Sequence, residues 1–345
     1  MTKAPTFCFV CKYKVLCYTI RMKYKLIEKL KKAKHVCLIA HTEPDADALC
    51  SMVVLKHFLV EKFKLQVDIF AEYTHLPQSY FCVIENQNIN QGKHDYDFAV
   101  MMDAPTTERL GKFKNLFEQA TNKLVIDHHA TNEFDKSTNL IDVVSSTCEI
   151  VFDILNKYKY KFSKRDYGMI YAGIITDTNN LTVGERSKHT FDVVGECVQN
   201  VESYPIYENF MLNNTRLNMN LMAKAIQNAQ YFCDDKIIIS HITSQQAKEM
   251  GAMQDSYTGI INRLATINGA KMVGFIYPKQ DEFYVSMRGR VGCNVGEVAK
   301  QNGGGGHAGA AAFMATGDLS VIEQNLLQDL TKQLDSQTDE SHNVF

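Results

Sequence analysis

The sequence predicts an α/β chain of two domains: a larger N-terminal one whose parallel sheet is flanked by helices, and a smaller C-terminal one with a mixed sheet. Three observations predict it. At 345 residues the chain is long enough for two hydrophobic cores. Short apolar runs rich in β-branched residues alternate with longer helical patterns in the first part, the order expected of βαβ units. A second block of strand-like runs follows a polar helical stretch.

The first strands are HVCLIA (35–40), QVDIFA (66–71), DFAVMM (97–102) and KLVI (123–126). Their near-continuous apolar character is that of strands covered on both faces of a parallel sheet. VVLKHFLVEKF (53–63) and RLGKFKNLFEQA (109–120) read as helices between them. STCEIVFDILNKY (146–158) and SKRDYGMIYAGIITDT (163–178) read as two more, each with a serine at its N-cap. From 191 to 231 the pattern is helical and polar, as in NTRLNMNLMAKAIQNAQ, and is expected to connect a domain over 22–190 to one over 232–335. KIIISHI, AKMVGFIYP and EFYVSMRGR supply strands of the second domain, and a glycine run and the helical LSVIEQNLLQDLTKQL complete it. Residues 336–345 read as a disordered tail. Met22 opens the amphipathic run MKYKLIEKLKKAKHV, so residues 1–21 read as an extension without structural role, which mass spectrometry of the native N-terminus would settle.

Composition narrows the function. A formal net charge of −2 gives no global basic field, which excludes a long duplex nucleic acid held by many phosphate contacts. No stretch approaches the length of a membrane span, and the N-terminus lacks a small-residue cleavage site, so a cytoplasmic protein without a membrane partner is expected. The ten cysteines sit mostly in apolar runs and form no disulfide framework. Cys8 and Cys11 make a CxxC, but no second pair stands at zinc spacing. A homodimer is left open.

Ionisable residues gather where the first-domain strands end. The first strand runs into His41, Asp45 and Asp47, the third stops at Asp103, and the fourth at Asp127, His128 and His129. In open parallel sheets, ligands bind outside the carboxyl ends of the strands, so these groups converge. Asp177 joins them if its helix packs back over that edge. Individually, Asp45 could be only an N-cap, Asp103 a turn residue and Asp177 a helix end. Together, so many carboxylates repel unless cations lie between them. Carboxylate and imidazole donors without thiolate suit Mn²⁺ and accept Mg²⁺ or Co²⁺. Two ions roughly 4 Å apart, bridged by one carboxylate, would use all the donors and could activate a water against phosphorus.

HTEPDADALCS, MMDAP, DHHAT and TDTNN resemble four successive motifs of the DHH phosphoesterase family, and NVGEVAKQNGGGGHAGAAA resembles the signature of the DHH-associated C-terminal domain. The resemblance runs from about residue 30 to 335 and is strongest to the bacterial nano-RNase and 3′,5′-bisphosphonucleoside phosphatase group. It implies that His41 and Asp45 hold one Mn²⁺, that Asp47, His128 and Asp177 hold the other, and that Asp103 bridges. It also implies that Asp127 orients a neighbouring imidazole and that His129 faces the scissile phosphate. Gly304, Gly305, Gly306, His307 and Arg288 would grip the substrate's phosphate and nucleotide across an interdomain cleft, with backbone amides aimed at the anion. Arg290 is an alternative anion ligand. The family pattern would place a lysine and an asparagine where this chain has Ala308 and Gly309, and a serine where it has Gly289, which touches nucleotide recognition and not the metal site.

The implied reaction is in-line attack on phosphorus by a metal-bridging hydroxide, cutting short 5′-phosphorylated oligoribonucleotides to mononucleotides and removing the 3′-phosphate of 3′-phosphoadenosine 5′-phosphate. Alternatives are a cyclic or linear dinucleotide phosphodiesterase and, from another class, a nucleotide sensor that binds without turnover. A DHH-type pyrophosphatase fits less well because its small domain lacks the glycine-histidine loop, and a processive exonuclease would want a further domain.

Overall fold

The computed structural model describes residues 27–92, 95–290 and 292–335. The expected 1–21 extension, the Cys8/Cys11 pair and the 336–345 tail lie outside the described residues. The chain divides between Asn213 and Asn214 into two compact units. That division falls inside the stretch expected as a connector, and its helices are shared out. Lys188–Asn200 and Ser203–Met211 bury Val193, Cys197 and Phe210 in the core of the first unit, while Arg216–Gln227 buries Leu221, Met222 and Ala225 in the second. Each helix has an apolar stripe, and each stripe finds a core.

The first unit holds a five-stranded, all-parallel sheet in the order β2-β1-β3-β4-β5. The strands are β1 (His35–Ala40), β2 (Gln66–Phe70), β3 (Phe98–Met102), β4 (Asn122–Asp127) and β5 (Leu140–Ile141). β3 is buried along its whole length, as its unbroken apolar sequence requires. One face carries Val36, Leu38, Val100 and Leu124 against the long helix Ala46–Phe63. The other carries Cys37, Ile39, Met101 and Val125 against Leu110 and Phe117. In this strand order the chain reverses direction across the sheet between β1 and β3, so the crevice for a ligand opens beyond Ala40 and Met102.

The helix expected over 109–120 is instead two pieces. A 3₁₀ stretch, Thr107–Phe113, precedes an α-helix, Lys114–Gln119, and the chain bends at Gly111, with φ 55° and ψ −134°. A side chain at Gly111 would meet Glu72 and come 2.5 Å from Thr42 Cγ2. This close approach lets the Arg109 carbonyl accept from the Thr42 amide at 2.7 Å, fixing the loop after β1.

The second unit is a six-stranded mixed sheet, β10-β11-β9-β8-β7-β6, in which only β7 and β8 pair in parallel. Its strands are β6 (Gln230–Phe232), β7 (Ile237–His241), β8 (Met272–Lys279), β9 (Glu282–Gly289), β10 (Gly305–Gly306) and β11 (Ala310–Ala315). Val295–Gln301 and Leu319–Asp335 cover one face, and helices including Arg216–Gln227 and Ile260–Leu264 the other. The cysteines among the described residues are free.

Candidate metal centre

Asp103, directly after β3, is 2% exposed and sits in the left-handed region at φ 54°. An aspartate tolerates that conformation better than most residues. Its two oxygens face different partners. Oδ2 lies 3.7 Å from His41 Nε2, after β1, and Oδ1 lies 3.5 Å from His128 Nε2, after β4. Among the described residues, two groups offer ligand atoms within 4.8 Å of one another, His41 with Asp45 and Asp103, and Asp103 with His128 and His129; they share Asp103.

Each imidazole is set by the bond at its other nitrogen. His41 Nδ1 lies 2.8 Å from the Thr42 carbonyl and His128 Nδ1 lies 3.2 Å from the Val144 carbonyl, so both Nδ1 atoms donate and both Nε2 atoms face Asp103. His129 is arranged differently. Its Nδ1 donates to Asp127 Oδ1 at 2.7 Å, and Asn132 donates to Asp127 Oδ2 at 2.6 Å. That proton leaves His129 Nδ1 without a lone pair for an ion, despite its 3.8 Å distance from Asp103.

Asp45 does both things the sequence left open. Oδ1 caps the helix Ala46–Phe63 by accepting from Ala48 N at 3.0 Å, and Oδ2 is 4.0 Å from His41 Nε2. Asp177 ends the helix Lys164–Asp177, which packs against the helices Ala46–Phe63 and Thr147–Lys157 and brings Oδ2 to 3.5 Å from His128 Nε2. Asp47 is fully buried, and its oxygens accept from the first amides of the helix Thr147–Lys157, Thr147 N at 2.7 Å and Cys148 N at 2.9 Å. Those two bonds fix its orientation, and each oxygen keeps a second lone pair.

The electrostatics show why the cluster fits cations. Burial first, and then the Asp103 charge, pushes Asp47 up to about 7. Burial, followed by the Asp45 charge, raises Asp103. Burial raises Asp177 to about 8 against the pull of His128, with Asp47, Asp45 and Asp103 adding to the rise. Burial would lower His128, but Asp103, Asp177 and Asp47 lift it to about 9. Protons are therefore held where hard cations would serve the same carboxylates and imidazoles. Asp127 behaves oppositely. Burial would raise it, but the donors His129 and Asn132 hold it below the usual carboxylate range.

Sequence reasoning missed several residues here. Thr147 Oγ1 donates to Asp103 Oδ1 at 3.0 Å, and Asn132 clamps Asp127. Arg109 is exposed, with Nη2 3.4 Å from His41 Nδ1. Because that nitrogen's proton goes to Thr42, the guanidinium only lies alongside. Among the described residues no carboxylate pairs with Arg109. The serine-threonine run after β5 could have signalled Thr147; nothing in the sequence marked Arg109.

In the second unit, Arg288 on β9 is half-buried, donating through Nε to Asn262 Oδ1 at 2.9 Å and through Nη1 to the Met287 carbonyl at 2.9 Å. Arg290 Nη2 is taken by the carbonyls of Ala265 and Ile267, at 3.2 and 2.9 Å, beyond the helix Ile260–Leu264. The glycine run is not a free loop. Gly305 and Gly306 are strand β10, paired with Ala312 and Ala311, and His307 and Ala310 close the hairpin with amide-to-carbonyl bonds of 2.7 and 3.2 Å. A Cβ on Gly304 would strike the Ala312 carbonyl, and one on Gly306 would lie 2.5 Å from the Ala310 carbonyl. Two of the four glycines are thus demanded by backbone packing. The hairpin, including His307, is exposed. Gly289 donates to the Gly309 carbonyl at 2.9 Å, and a Cβ there would lie 2.8 Å from the Ala308 carbonyl, so the positions that depart from the family pattern pack on one another.

A family model described as the DHH family, N-terminal domain, matches residues 35–175, and the DHHA1 domain model matches 234–340. The chain is 22% identical over 293 residues to the bifunctional oligoribonuclease and PAP phosphatase NrnA of Bacillus subtilis, covering 83% of this chain and 91% of that one. It is 27% identical over 311 residues to the protein of the same name from Mycoplasma pneumoniae, covering 87% and 92%. An exopolyphosphatase-related protein from Bacteroides fragilis superimposes with a TM-score of 0.82 at 20% identity, over 91% of this chain and 96% of that one. RecJ from Thermus thermophilus in complex with Mn²⁺ gives 0.52 at 13% identity, over 92% and 55%. These two likenesses bear on the fold. With both domain models matched in order, the chain belongs to the DHH/DHHA1 phosphoesterase family.

Proposed function

We propose that this protein hydrolyses short 5′-phosphorylated oligoribonucleotides to mononucleotides and 3′-phosphoadenosine 5′-phosphate to AMP. Two divalent ions, Mn²⁺ by preference, would be held by His41, Asp45, Asp47, Asp103, His128 and Asp177. The observation that carries this reading is Asp103, whose two oxygens face His41 on one side and His128 on the other. The names of the relatives, oligoribonuclease and PAP phosphatase, support the substrate class. When bound, the ions supply Lewis acidity, acidifying water and neutralising phosphate charge.

The residues divide the remaining work. Asp103 is the shared carboxylate, held by Thr147. Asp127, clamped by Asn132, takes the His129 Nδ1 proton and so fixes the ring, assigning Nε2 to the phosphate or its leaving oxygen. His129 is raised, because the Asp127 hydrogen bond and the Asp103 charge outweigh the opposing effect of burial. An imidazole whose hold on its proton is strengthened in this way suits a general acid for the departing hydroxyl. Arg109 offers the first unit a guanidinium for a substrate phosphate. In the second unit, Arg288, His307 and the amides of Gly304, Gly305 and Gly306 are the proposed phosphate and nucleotide contacts.

The test is chromatographic product analysis after incubating the protein with Mn²⁺ and either pApA or 3′-phosphoadenosine 5′-phosphate, with Asp103→Ala as control. AMP from wild type alone is expected. Untouched substrate with both proteins would overturn hydrolysis in favour of a nucleotide-binding role.

A further inference from the structure

Glu149 is neither a candidate ligand nor a phosphate contact, yet it is 1% exposed in the first turn of the helix Thr147–Lys157. A carboxylate buried this far is unfavourable unless donors surround it. All of its acceptor bonds fall on one oxygen. Oε2 accepts from Thr190 Oγ1 at 3.0 Å, from the Ser145 amide at 3.4 Å and from the Ser145 hydroxyl. Oε1 has no hydrogen-bond partner among the described residues. The Glu149 amide donates to Ser146 Oγ, the N-cap of its own helix, at 3.2 Å.

What this carboxylate grips is the segment that sets three candidate ligands. The Val144 carbonyl holds His128 Nδ1, the amides of Thr147 and Cys148 hold Asp47, and Thr147 Oγ1 holds Asp103. Those contacts come from three residues, Val144, Thr147 and Cys148, within the five-residue span 144–148, and Ser145 lies among them. On the far side, Thr190 is the third residue of the helix Lys188–Asn200, and its Oγ1 also closes that helix's capping box by accepting from Ser187 N at 3.1 Å. Glu149 therefore braces the segment against a helix whose start is itself fixed.

We propose that Glu149 is a positioning residue of the metal centre, holding residues 144–148 so that His128, Asp47 and Asp103 face the ions together. The inference rests on the metal reading above. Because one oxygen accepts every bond, the requirement is an acceptor at the Oε2 position, not a negative charge. Glutamine can place its carbonyl there; alanine cannot.

The test uses the full chain, stripped of metal. Calorimetric titration with Mn²⁺ should show binding weakened about 10- to 100-fold in Glu149→Ala, as for other residues that orient ligands from outside, and within about threefold of wild type in Glu149→Gln. Turnover of pApA by Glu149→Ala should fall in kcat with KM little changed. A purely structural brace would lower the melting temperature equally with and without Mn²⁺, whereas a positioning role shrinks the Mn²⁺-induced rise itself. If Glu149→Ala does not fold, the double variant Ser145→Ala/Thr190→Val, which leaves Glu149 in place but removes two hydroxyl donors, should show the same shrinkage. Wild-type Mn²⁺ affinity in the variant that folds would overturn the proposal, as would Glu149→Gln behaving like Glu149→Ala. Failure of wild type itself to bind Mn²⁺ would overturn the metal reading, a result distinct from either.

Discussion

Asp103 holds a left-handed backbone conformation at the end of a fully buried strand, and its two oxygens serve opposite sides of the cluster. Asp103→Asn keeps the shape and one carbonyl acceptor for Thr147 while removing the charge that both sides share. It is expected to cut turnover of pApA by at least about 100-fold with little change in the melting curve of the metal-free protein. His129 should separate from the ligands in experiment as it does in geometry. His129→Gln should lower kcat by roughly 10² to 10⁴, the range for a lost proton donor, while Mn²⁺ affinity measured by calorimetry stays near wild type. The family resemblance implied that Asp127 orients a neighbouring imidazole; that the ring is His129, and that Asn132 holds the other oxygen, was not legible in the tripeptide DHH, because adjacency in sequence says nothing about which ring nitrogen carries the proton.

Among the elements, the helix Lys164–Asp177 reaches the site together with the helices Ala46–Phe63 and Thr147–Lys157. Gly173 in its interior should cost about 1 kcal/mol in helix propensity relative to alanine. A Cβ there would run into Cys148 Sγ and lie 2.8 Å from Asp47 Oδ1. Gly173→Ala is therefore expected to weaken Mn²⁺ binding and lower the melting temperature, opposite to what propensity alone gives; a raised melting temperature with unchanged binding would show that the contact yields. The serine caps at Ser146 and Ser163 were legible because capping is local chemistry. The break at Gly111 was not, because its cause is the proximity of Glu72 and Thr42, far away in sequence.

For the whole molecule, proton and metal compete for one set of groups. Asp47 and Asp177 have folded pKa values of about 7 and about 8, raised above the ordinary carboxylate value, and His128 is raised to about 9. For each, stability is fully present below the unfolded pKa and is lost as pH rises through the folded one. From about pH 6.5 all three act in the same direction, Asp47 up to about 7, Asp177 up to about 8 and His128 up to about 9, so the metal-free protein should melt at progressively lower temperature up to about pH 9. Ligation needs these groups deprotonated, so the Mn²⁺-induced rise in melting temperature should grow over the same range. Melting curves at pH 6.5 and 8.5, with EDTA and with Mn²⁺, check both signs; a Mn²⁺ increment that shrinks with pH would contradict the ligand assignment. Among the described residues no helix is long and apolar enough to cross a membrane.

The sequence by itself determined the parallel strands, the placement of His41, Asp45, Asp103 and the Asp127-His128-His129 run at their carboxyl ends, and the mixed sheet that follows. Strand periodicity and end position are local properties, and the rule that ligands gather at one sheet edge turns them into a site. Only the tertiary structure decided how each of those groups is held. The tautomers of His41 and His128 depend on the carbonyls of Thr42 and Val144, Asp47 on the amides of a helix 100 residues away, and the glycine run on a hairpin partner that leaves no room for Cβ atoms at Gly304 and Gly306. Each is a contact between segments distant in sequence or a backbone bond, and neither leaves a trace in residue type or spacing.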